Sequence, residues 1–221
     1  MTSLHKPHSL KYRQLLAVLV ITFLASPFLT GGLGGILSTL LLFYTMIVIV
    51  MSLQLPKLWV GGYVAISTTA FTIQISSTMG WIDDFSQTLS LFPQVIFALY
   101  FGAAIYWIGR DIFTTRTVTA DTVLGGISVY LMIGYLWAFL YGIVTTLNGD
   151  AFSQTLLIDG SYLKVFHFSF TTLTTLGYGD IVPISNVALV LTNLEAITGQ
   201  MYSTVLIAIL VGGYLSRSTE K

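Results

Sequence analysis

The sequence predicts an all-α integral membrane protein with six transmembrane helices and one re-entrant segment. Of its 221 residues, 55% are hydrophobic and only 8% are charged, whereas a soluble domain is about 25% charged. Six apolar stretches meet or approach the roughly 20 residues that are needed to cross a hydrocarbon core about 30 Å thick. They cover residues 15–28, 33–53, 58–75, 89–108, 123–147 and 184–215.

The composition argues against several classes of function. Nine basic and nine acidic side chains cancel, so net charge gives no support for binding to nucleic acid. The sequence has no cysteine for disulfides or thiolate metal sites, and the three histidines, His5, His8 and His167, are too scattered for a metal cluster. We therefore expect membrane lipid as the surroundings, no nucleic-acid partner and no bound cofactor.

The first two stretches differ in how firmly they predict a span. Residues 15–28 follow two basic residues and end in small ones, which is also the pattern of a cleaved signal peptide, although Pro27 beside the cleavage point argues against removal. Residues 33–53 are unambiguous, because ten residues between Ile36 and Val50 are Leu, Ile, Phe or Val. Each of these favours insertion by about 0.3 to 0.6 kcal/mol.

The next two stretches are less uniform. Polar side chains dilute residues 58–75, so we expect this helix to face other helices rather than lipid; they are Ser67, Thr68, Thr69, Thr72 and Gln74. Residues 89–108 contain no charged residue. Because the membrane potential supplies about 2.3 kcal/mol per elementary charge per 100 mV, this helix is not expected to sense voltage.

The positions of the charges predict the orientation of the chain. Cytoplasmic loops carry an excess of Lys and Arg, and six crossings that start in the cytoplasm leave only Lys164 outside. The inner basic residues are then Lys6, Lys11, Arg13, Lys57, Arg110, Arg116, Arg217 and Lys221. Both termini are therefore expected in the cytoplasm. The outer loops hold acidic residues that solvate them or attract cations, namely Asp83, Asp84, Asp150 and Asp159.

The stretches divide the chain into two parts. Residues 1–110 are expected to form a four-helix membrane bundle, joined by a cytoplasmic linker at residues 111–121. Residues 122–221 form the second part, in which a re-entrant segment lies between two spans. That segment begins with YLKVFHFSFTTLT at residues 162–174, which predicts a helix of about 20 Å that is too short to cross the membrane.

The residues after this short helix, TLGYGD at 175–180, are expected to line a wet cavity. Non-helical backbone at membrane depth is tolerated only where protein buries it or where it borders water. Gly177 and Gly179 adopt positive φ without steric cost, which lets successive carbonyls turn toward one axis. Oxygen ligands for a dehydrated monovalent cation are then available from the Thr175 hydroxyl and the carbonyls of Thr175, Leu176, Gly177 and Tyr178. One such strand cannot enclose an ion, so several copies must meet.

The motif TLGYGD resembles the potassium-channel signature TVGYG, and residues 123–215 as a whole look like the pore domain of tetrameric prokaryotic potassium channels of six-transmembrane arrangement. The resemblance implies a four-fold homotetramer in the cell membrane, with K+ as the permeant ion. It assigns an outer helix to residues 123–147, a pore helix to residues 162–174, a filter to residues 175–180 and an inner helix to residues 184–215.

The filter region departs from that family at several positions. Leu176 stands where valine is usual, with its side chain expected to point away from the ions. Tryptophans or a glutamate often back the filter in the family, and other residues occupy those places here, namely His167, Phe168 and Thr171. The residues expected to support the filter are Asp180, Thr174, His167 and Thr171. His167 either donates a hydrogen bond to Tyr178 or is an ordinary packed histidine.

Two residues of the inner helix stand out. Gly199 lies where the family bends to open, and since an interior helical glycine costs about 1 kcal/mol relative to alanine, it serves either as a hinge or for close packing. Glu195 is the only carboxylate well inside an apolar span, where an unpaired charge costs about 3 kcal/mol or more. It either tunes conduction beside the cavity or filter, or accepts a hydrogen bond from Thr or Ser of the pore helix.

Two alternative functions stay open. A loosely held filter also passes sodium, which would make the protein a non-selective monovalent cation channel. The letters GYGD at residues 177–180 also satisfy the GxGD pattern of intramembrane aspartyl proteases, which need two carboxylates close enough to share a proton. We expect no enzyme, because no second aspartate lies inside an apolar span and Glu195 is on the next helix.

Overall fold

The computed structural model describes residues 11–29, 31–53, 57–78, 86–114, 118–157 and 162–219. These ranges form helices α1 (Lys11–Ala25), α2 (Gly31–Leu53), α3 (Lys57–Thr78), α4 (Ser86–Thr114), α5 (Ala120–Leu147), α6 (Leu163–Leu173) and α7 (Asn186–Thr219). A short 3-10 turn follows α1, and the strand-like pairing within the described ranges is one isolated bridge between Phe152 and Pro183. The predicted all-α class is confirmed.

Three helices of the described part are long and apolar enough to cross a membrane. They are the segments Leu33–Leu53 of α2, Leu91–Thr114 of α4 and Ala120–Leu147 of α5. The apolar part of α1, Tyr12–Phe28, is shorter, and α3 and α7 are long helices that carry more polar residues. The protein is thus a membrane protein, and the full count of six crossings stays a prediction.

The polar residues of α3 divide between two environments within the single chain, and the expectation that this helix faces other helices rather than lipid stays a prediction. Ser67 and Gln74 are buried. Thr68, Thr69 and Thr72 are exposed, and their hydroxyls donate to carbonyls of α3 itself. A hydroxyl that bonds to its own helix does not need a neighbouring helix as a partner.

Several element boundaries differ from those predicted. The linker expected at residues 111–121 starts as helix, because α4 continues to Thr114, and it ends as the first turn of α5. Thr119 caps α5 through reciprocal hydrogen bonds with Thr122. The re-entrant helix is slightly shorter than predicted, and α7 begins two residues later than predicted, after Ser185 accepts a hydrogen bond from the Ala188 amide. Some of the charged residues named for the predicted orientation of the chain lie outside the described residues. They are Lys6, Asp83, Asp84, Arg116, Asp159 and Lys221.

Helix α5 is the centre of the packing, and it contacts α1, α4, α6 and α7. Its aromatic rings stack on those of α4, with the Phe101 and Tyr135 centroids 5.5 Å apart and those of Phe97 and Phe139 5.1 Å apart. The Tyr135 hydroxyl also donates to the Leu19 carbonyl of α1 at 3.0 Å. The helices of residues 1–110 therefore do not pack as a bundle apart from the rest of the chain, since α5 lies directly against two of them.

Hydrogen bonds join the start of α1 to the end of α4 and to the start of α5. The Tyr12 amide of α1 donates to Asp121 of α5 at 3.0 Å, and the Tyr12 hydroxyl donates to Asp111 of α4 at 2.5 Å. Both aspartates belong to the predicted linker. The linker is therefore anchored on each side to the start of α1.

Candidate ion-conducting site

Helix α6 is seated in the protein by one apolar face. Its buried residues are Val165, Phe166, Phe168, Ser169 and Leu173. Phe166 meets Tyr135 of α5 edge-on with centroids 5.0 Å apart, and Phe168 meets Tyr141 at 4.9 Å. Eleven helical residues span about 16 Å, which is too short to cross a bilayer.

The chain folds back on the end of α6 as it enters residues 175–180, the filter segment. The Thr171 carbonyl accepts from both the Leu176 amide at 2.9 Å and the Gly177 amide at 3.1 Å. The Thr171 hydroxyl donates to the Phe168 carbonyl and the Thr174 hydroxyl to the Phe170 carbonyl. Thr171 and Thr174 were both expected to support the filter. Thr171 does so through its backbone carbonyl, whereas both hydroxyls bind carbonyls of α6 itself.

The sign of φ alternates along the filter segment. It is +58° at Thr175, +53° at Gly177 and +78° at Gly179, and it is not positive at Leu176 and Tyr178 between them. A backbone in which the sign of φ alternates can gather successive N–H groups on one side of the chain, which leaves the carbonyls to point to the other side. A Cβ added at either glycine would meet nothing within 4 Å. These glycines are therefore required by their backbone conformation rather than by lack of space.

Thr175 carries the strain of this segment. A left-handed residue with a Cβ costs about 1 to 2 kcal/mol, and Thr175 is the one non-glycine residue with positive φ in the described part. Its amide donates to the Thr172 carbonyl at 2.9 Å. Such strain persists only where the surrounding structure enforces it, and it concentrates at functional sites.

The Asp180 end of the filter segment is held by contacts with His167. His167 Nε2 lies 3.0 Å from Asp180 Oδ2, and the His167 ring stacks on Tyr178 with centroids 5.8 Å apart and planes within 6°. The expected hydrogen bond from His167 to Tyr178 is therefore replaced by stacking. Partial desolvation opposes ionisation of Asp180, but the hydrogen bond and charge of His167 and nearby backbone amides outweigh it and lower the pKa of that carboxyl.

The chain leaving the filter segment is fixed by the loop before α6. Gln154 donates to the Asp180 carbonyl at 2.8 Å and accepts from Lys164 at 3.0 Å. Ser153 pairs with Val182 through two hydrogen bonds, at 2.9 and 3.0 Å. Sequence reasoning missed this loop, because its polar residues look like ordinary solvated ones.

Glu195 lies behind α6 rather than at the filter segment. Its carboxyl oxygens contact the hydroxyl of Ser169 on α6 at 2.6 Å and that of Tyr141 on α5 at 2.5 Å. All three residues are fully buried. A contact with a pore-helix serine was one of the two arrangements raised from the sequence, whereas nothing in the sequence singled out Tyr141.

Gly199, one turn after Glu195 on α7, allows α7 to approach the end of α6. A Cβ on Gly199 would lie 2.1 Å from the Leu173 carbonyl oxygen, a distance that real Cβ atoms do not reach. Close packing thus accounts for a glycine here. The two carboxyls of the GxGD alternative have separate partners, since Asp180 pairs with His167 and Glu195 with Ser169 and Tyr141.

Comparison with known proteins identifies the family. A family model described as an ion channel matches residues 58–213, which is more than half of the chain and includes α6 and the filter segment. No curated protein and no solved structure gives a match. Within the matched region, residues 163–180 form a short helix that is followed by a strained backbone segment in which the sign of φ alternates. The chain belongs to the ion channel family.

Proposed function

We propose that the protein is a potassium-selective channel in which four identical chains each contribute one filter segment to a central pore. The observation that supports this most directly is the alternation of φ from Thr175 to Gly179. Carbonyls turned to one side replace the hydration shell of a passing ion, as in the rings of backbone oxygens of potassium filters. The ligands would be the carbonyls of Thr175, Leu176, Gly177 and Tyr178, with the Thr175 hydroxyl.

The absence of a side-chain charge among these ligands suits conduction. Uncharged carbonyls at several successive sites bind a monovalent ion well enough for entry and weakly enough for exit. The carbonyl end of α6 adds about half a negative elementary charge below the filter segment. K+ then passes down its own gradient, and the protein is a passive channel rather than an enzyme.

Exposure of the filter segment in the single chain supports assembly. Tyr178 is 68% exposed and Leu176 57% exposed, although both lie beside a backbone that water or protein must cover. A row of apolar side chains along α7 is exposed as well, including Val187, Val190, Leu194, Ile197 and Met201. Three further copies around a four-fold axis would cover the filter segment, and lipid or neighbouring chains would cover the rest.

The helices α1 to α4 are proposed to scaffold the pore rather than to sense voltage. Residues 89–108 of α4 carry no charge, so the membrane potential exerts no force on side chains there. The polar ends of α1 and α4 are bound to each other through Tyr12 and Asp111. The channel is therefore expected to open without strong dependence on voltage.

Reversal potentials test the proposal. The purified protein is placed in planar bilayers with K+ on one side and Na+ on the other, and a reversal potential near the K+ equilibrium value is expected. A value near zero would instead indicate the non-selective cation channel. Chemical cross-linking in the membrane should give a ladder that ends at four chains, and a protein that stays monomeric would contradict the proposed pore.

A further inference from the structure

A closed polar cluster lies where α5, α6 and α7 meet, away from the filter segment. It consists of the Glu195 carboxyl, the Ser169 and Tyr141 hydroxyls and the Gly134 carbonyl. Glu195, Ser169 and Tyr141 are each buried completely. The proposed conduction path does not use any of these groups directly.

Three short contacts hold this cluster together. Tyr141 Oη lies 2.5 Å from Glu195 Oε2, Ser169 Oγ lies 2.6 Å from Glu195 Oε1, and Ser169 Oγ lies 2.8 Å from the Gly134 carbonyl oxygen. All three distances are those of full O–H···O hydrogen bonds. Each such bond requires its own hydrogen atom.

The two hydroxyls supply only two of the three hydrogens. An ionised carboxylate accepts hydrogen bonds and donates none, whereas a protonated one donates one. With a proton on Oε1, Glu195 donates to Ser169, Ser169 donates to Gly134, and Tyr141 donates to Oε2. Every contact then has a hydrogen of its own, whereas the ionised form has to share the Ser169 hydrogen between Glu195 and the Gly134 carbonyl.

Within the described part of the chain, the charged groups of α5, α6 and α7 do not offer Glu195 a counterion. The charged residue of α5, Asp121, is acidic and lies at its first turn. On α6, Lys164 donates to Gln154 and His167 pairs with Asp180. On α7, Arg217 lies six turns after Glu195. A buried charge without such a partner is strongly disfavoured.

We propose that Glu195 carries a proton and acts as a positioning residue, donating a hydrogen bond to Ser169 that fixes α6 against α7. This inference rests on the proposed channel function for its consequence. Glu195 and Gly199 lie one turn apart on α7, and they contact Ser169 and the Leu173 carbonyl, one turn apart on α6. The two contacts clamp the inner helix to the helix that carries the filter segment, so displacement of α7 displaces the filter.

The substitution Glu195→Gln keeps an uncharged hydrogen-bond donor at this position, whereas Glu195→Ala removes the donor. The amide of Glu195→Gln is uncharged, donates to Ser169 and accepts from Tyr141, so K+ over Na+ permeability and current are expected to stay within about twofold of wild type. Glu195→Ala and Ser169→Ala remove the link, and selective current should fall about tenfold. Ser128→Ala is the matched control, because that buried hydroxyl donates within its own helix, to the Leu124 carbonyl.

Infrared spectroscopy of the intact channel detects the proton on Glu195 directly, and a role for Glu195 in packing alone would not produce this signal. The wild type is expected to show the carbonyl stretching band of a protonated carboxyl at neutral pH, and Glu195→Gln should lack it. Absence of that band in the wild type, or a Glu195→Gln channel as impaired as Glu195→Ala, would overturn the proposal. Wild-type selectivity in both Glu195→Ala and Ser169→Ala would overturn the positioning role.

Failure of the proposed potassium-channel function and failure of the Glu195 proposal would give different experimental results. The wild-type reversal potential is measured first, and a non-selective wild type would reject potassium selectivity while leaving the infrared band as the test of the proton on Glu195. If Glu195→Ala does not assemble, Ser169→Ala carries the same comparison of current, since it removes one hydroxyl without removing the carboxyl.

Discussion

Two serine hydroxyls of α2 and α3 are used differently from the hydroxyl, carboxyl and imidazole side chains around α6. Ser52 of α2 and Ser67 of α3 donate to carbonyls of their own helices, at 2.8 Å in each case. Around α6, Ser169 and Tyr141 bind Glu195 of another helix, and His167 binds Asp180 beyond the filter segment. The first kind of bond leaves a helix free to meet lipid, whereas the second fixes one element against another.

This difference indicates where geometry matters to the molecule. Helices in a bilayer gain little from hydrophobic association, because lipid tails are as apolar as their side chains. Hydrogen bonds between elements therefore help to position them, and Ser169 joins α6 to both α5 and α7 in this way. Substitutions around α6 should accordingly change conduction more than equivalent ones in α2 to α4.

The largest effect is expected from Gly177→Ala. Its φ of +53° costs a residue with a Cβ about 1 to 2 kcal/mol in every chain of the assembly, which should abolish selective current while the protein still inserts and assembles. Reversal potential and cross-linking measure the two properties. Gly149→Ala is the control, because that glycine has open space and no positive φ. Unaltered selective current in Gly177→Ala would contradict the carbonyl column.

A large effect is also expected from Gly199→Ala, because the backbone at this position has an ordinary φ but there is no room for a Cβ atom. The new methyl would press on the Leu173 carbonyl, and overpacking of this kind costs about 1 to 3 kcal/mol. We expect a lower melting temperature of the assembled channel and reduced current. Gly212→Ala on the same helix meets nothing within 4 Å and should behave as wild type. Equal stability of the two variants would exclude the close contact.

A smaller effect is expected from His167→Ala, and it should depend on pH. Because the folded pKa of Asp180 is lowered, the contact of its carboxylate with His167 stabilises the filter segment above the ordinary Asp pKa of about 3.9, and this stabilisation is lost as the outer pH falls through the lower folded value. Removing His167 raises that pKa toward its ordinary value. The current of His167→Ala should therefore decline at a higher outer pH than that of wild type, and identical acid limbs would refute the pairing.

The smallest effect is expected from voltage itself. Residues 89–108 hold no charge, so the relation between conductance and voltage should correspond to less than about one elementary charge per chain. Single-channel recordings over a wide range of potentials measure this slope. A steep slope would show that the helices of residues 1–110 transmit force to the pore and are more than a scaffold.

Much of this architecture follows from sequence because its causes are local. Low charge and long apolar runs determine the membrane class. The length of the apolar pattern at residues 162–174 determines a short helix, and Gly177 and Gly179 determine a backbone with alternating φ. Each of these depends on the sterics or hydropathy of a few neighbouring residues. The alternation at Gly177 and Gly179 appears as the sequence predicts.

The partners of single side chains were decided by the tertiary structure. His167 pairs with Asp180 rather than with Tyr178, Tyr141 reaches Glu195 from 54 positions earlier, and α5 packs between the first helices and the pore region. Which hydroxyl meets which carboxyl depends on how far apart two helices lie and how each is rotated. Those distances are set by packing over the whole molecule, and no short stretch of residues encodes them.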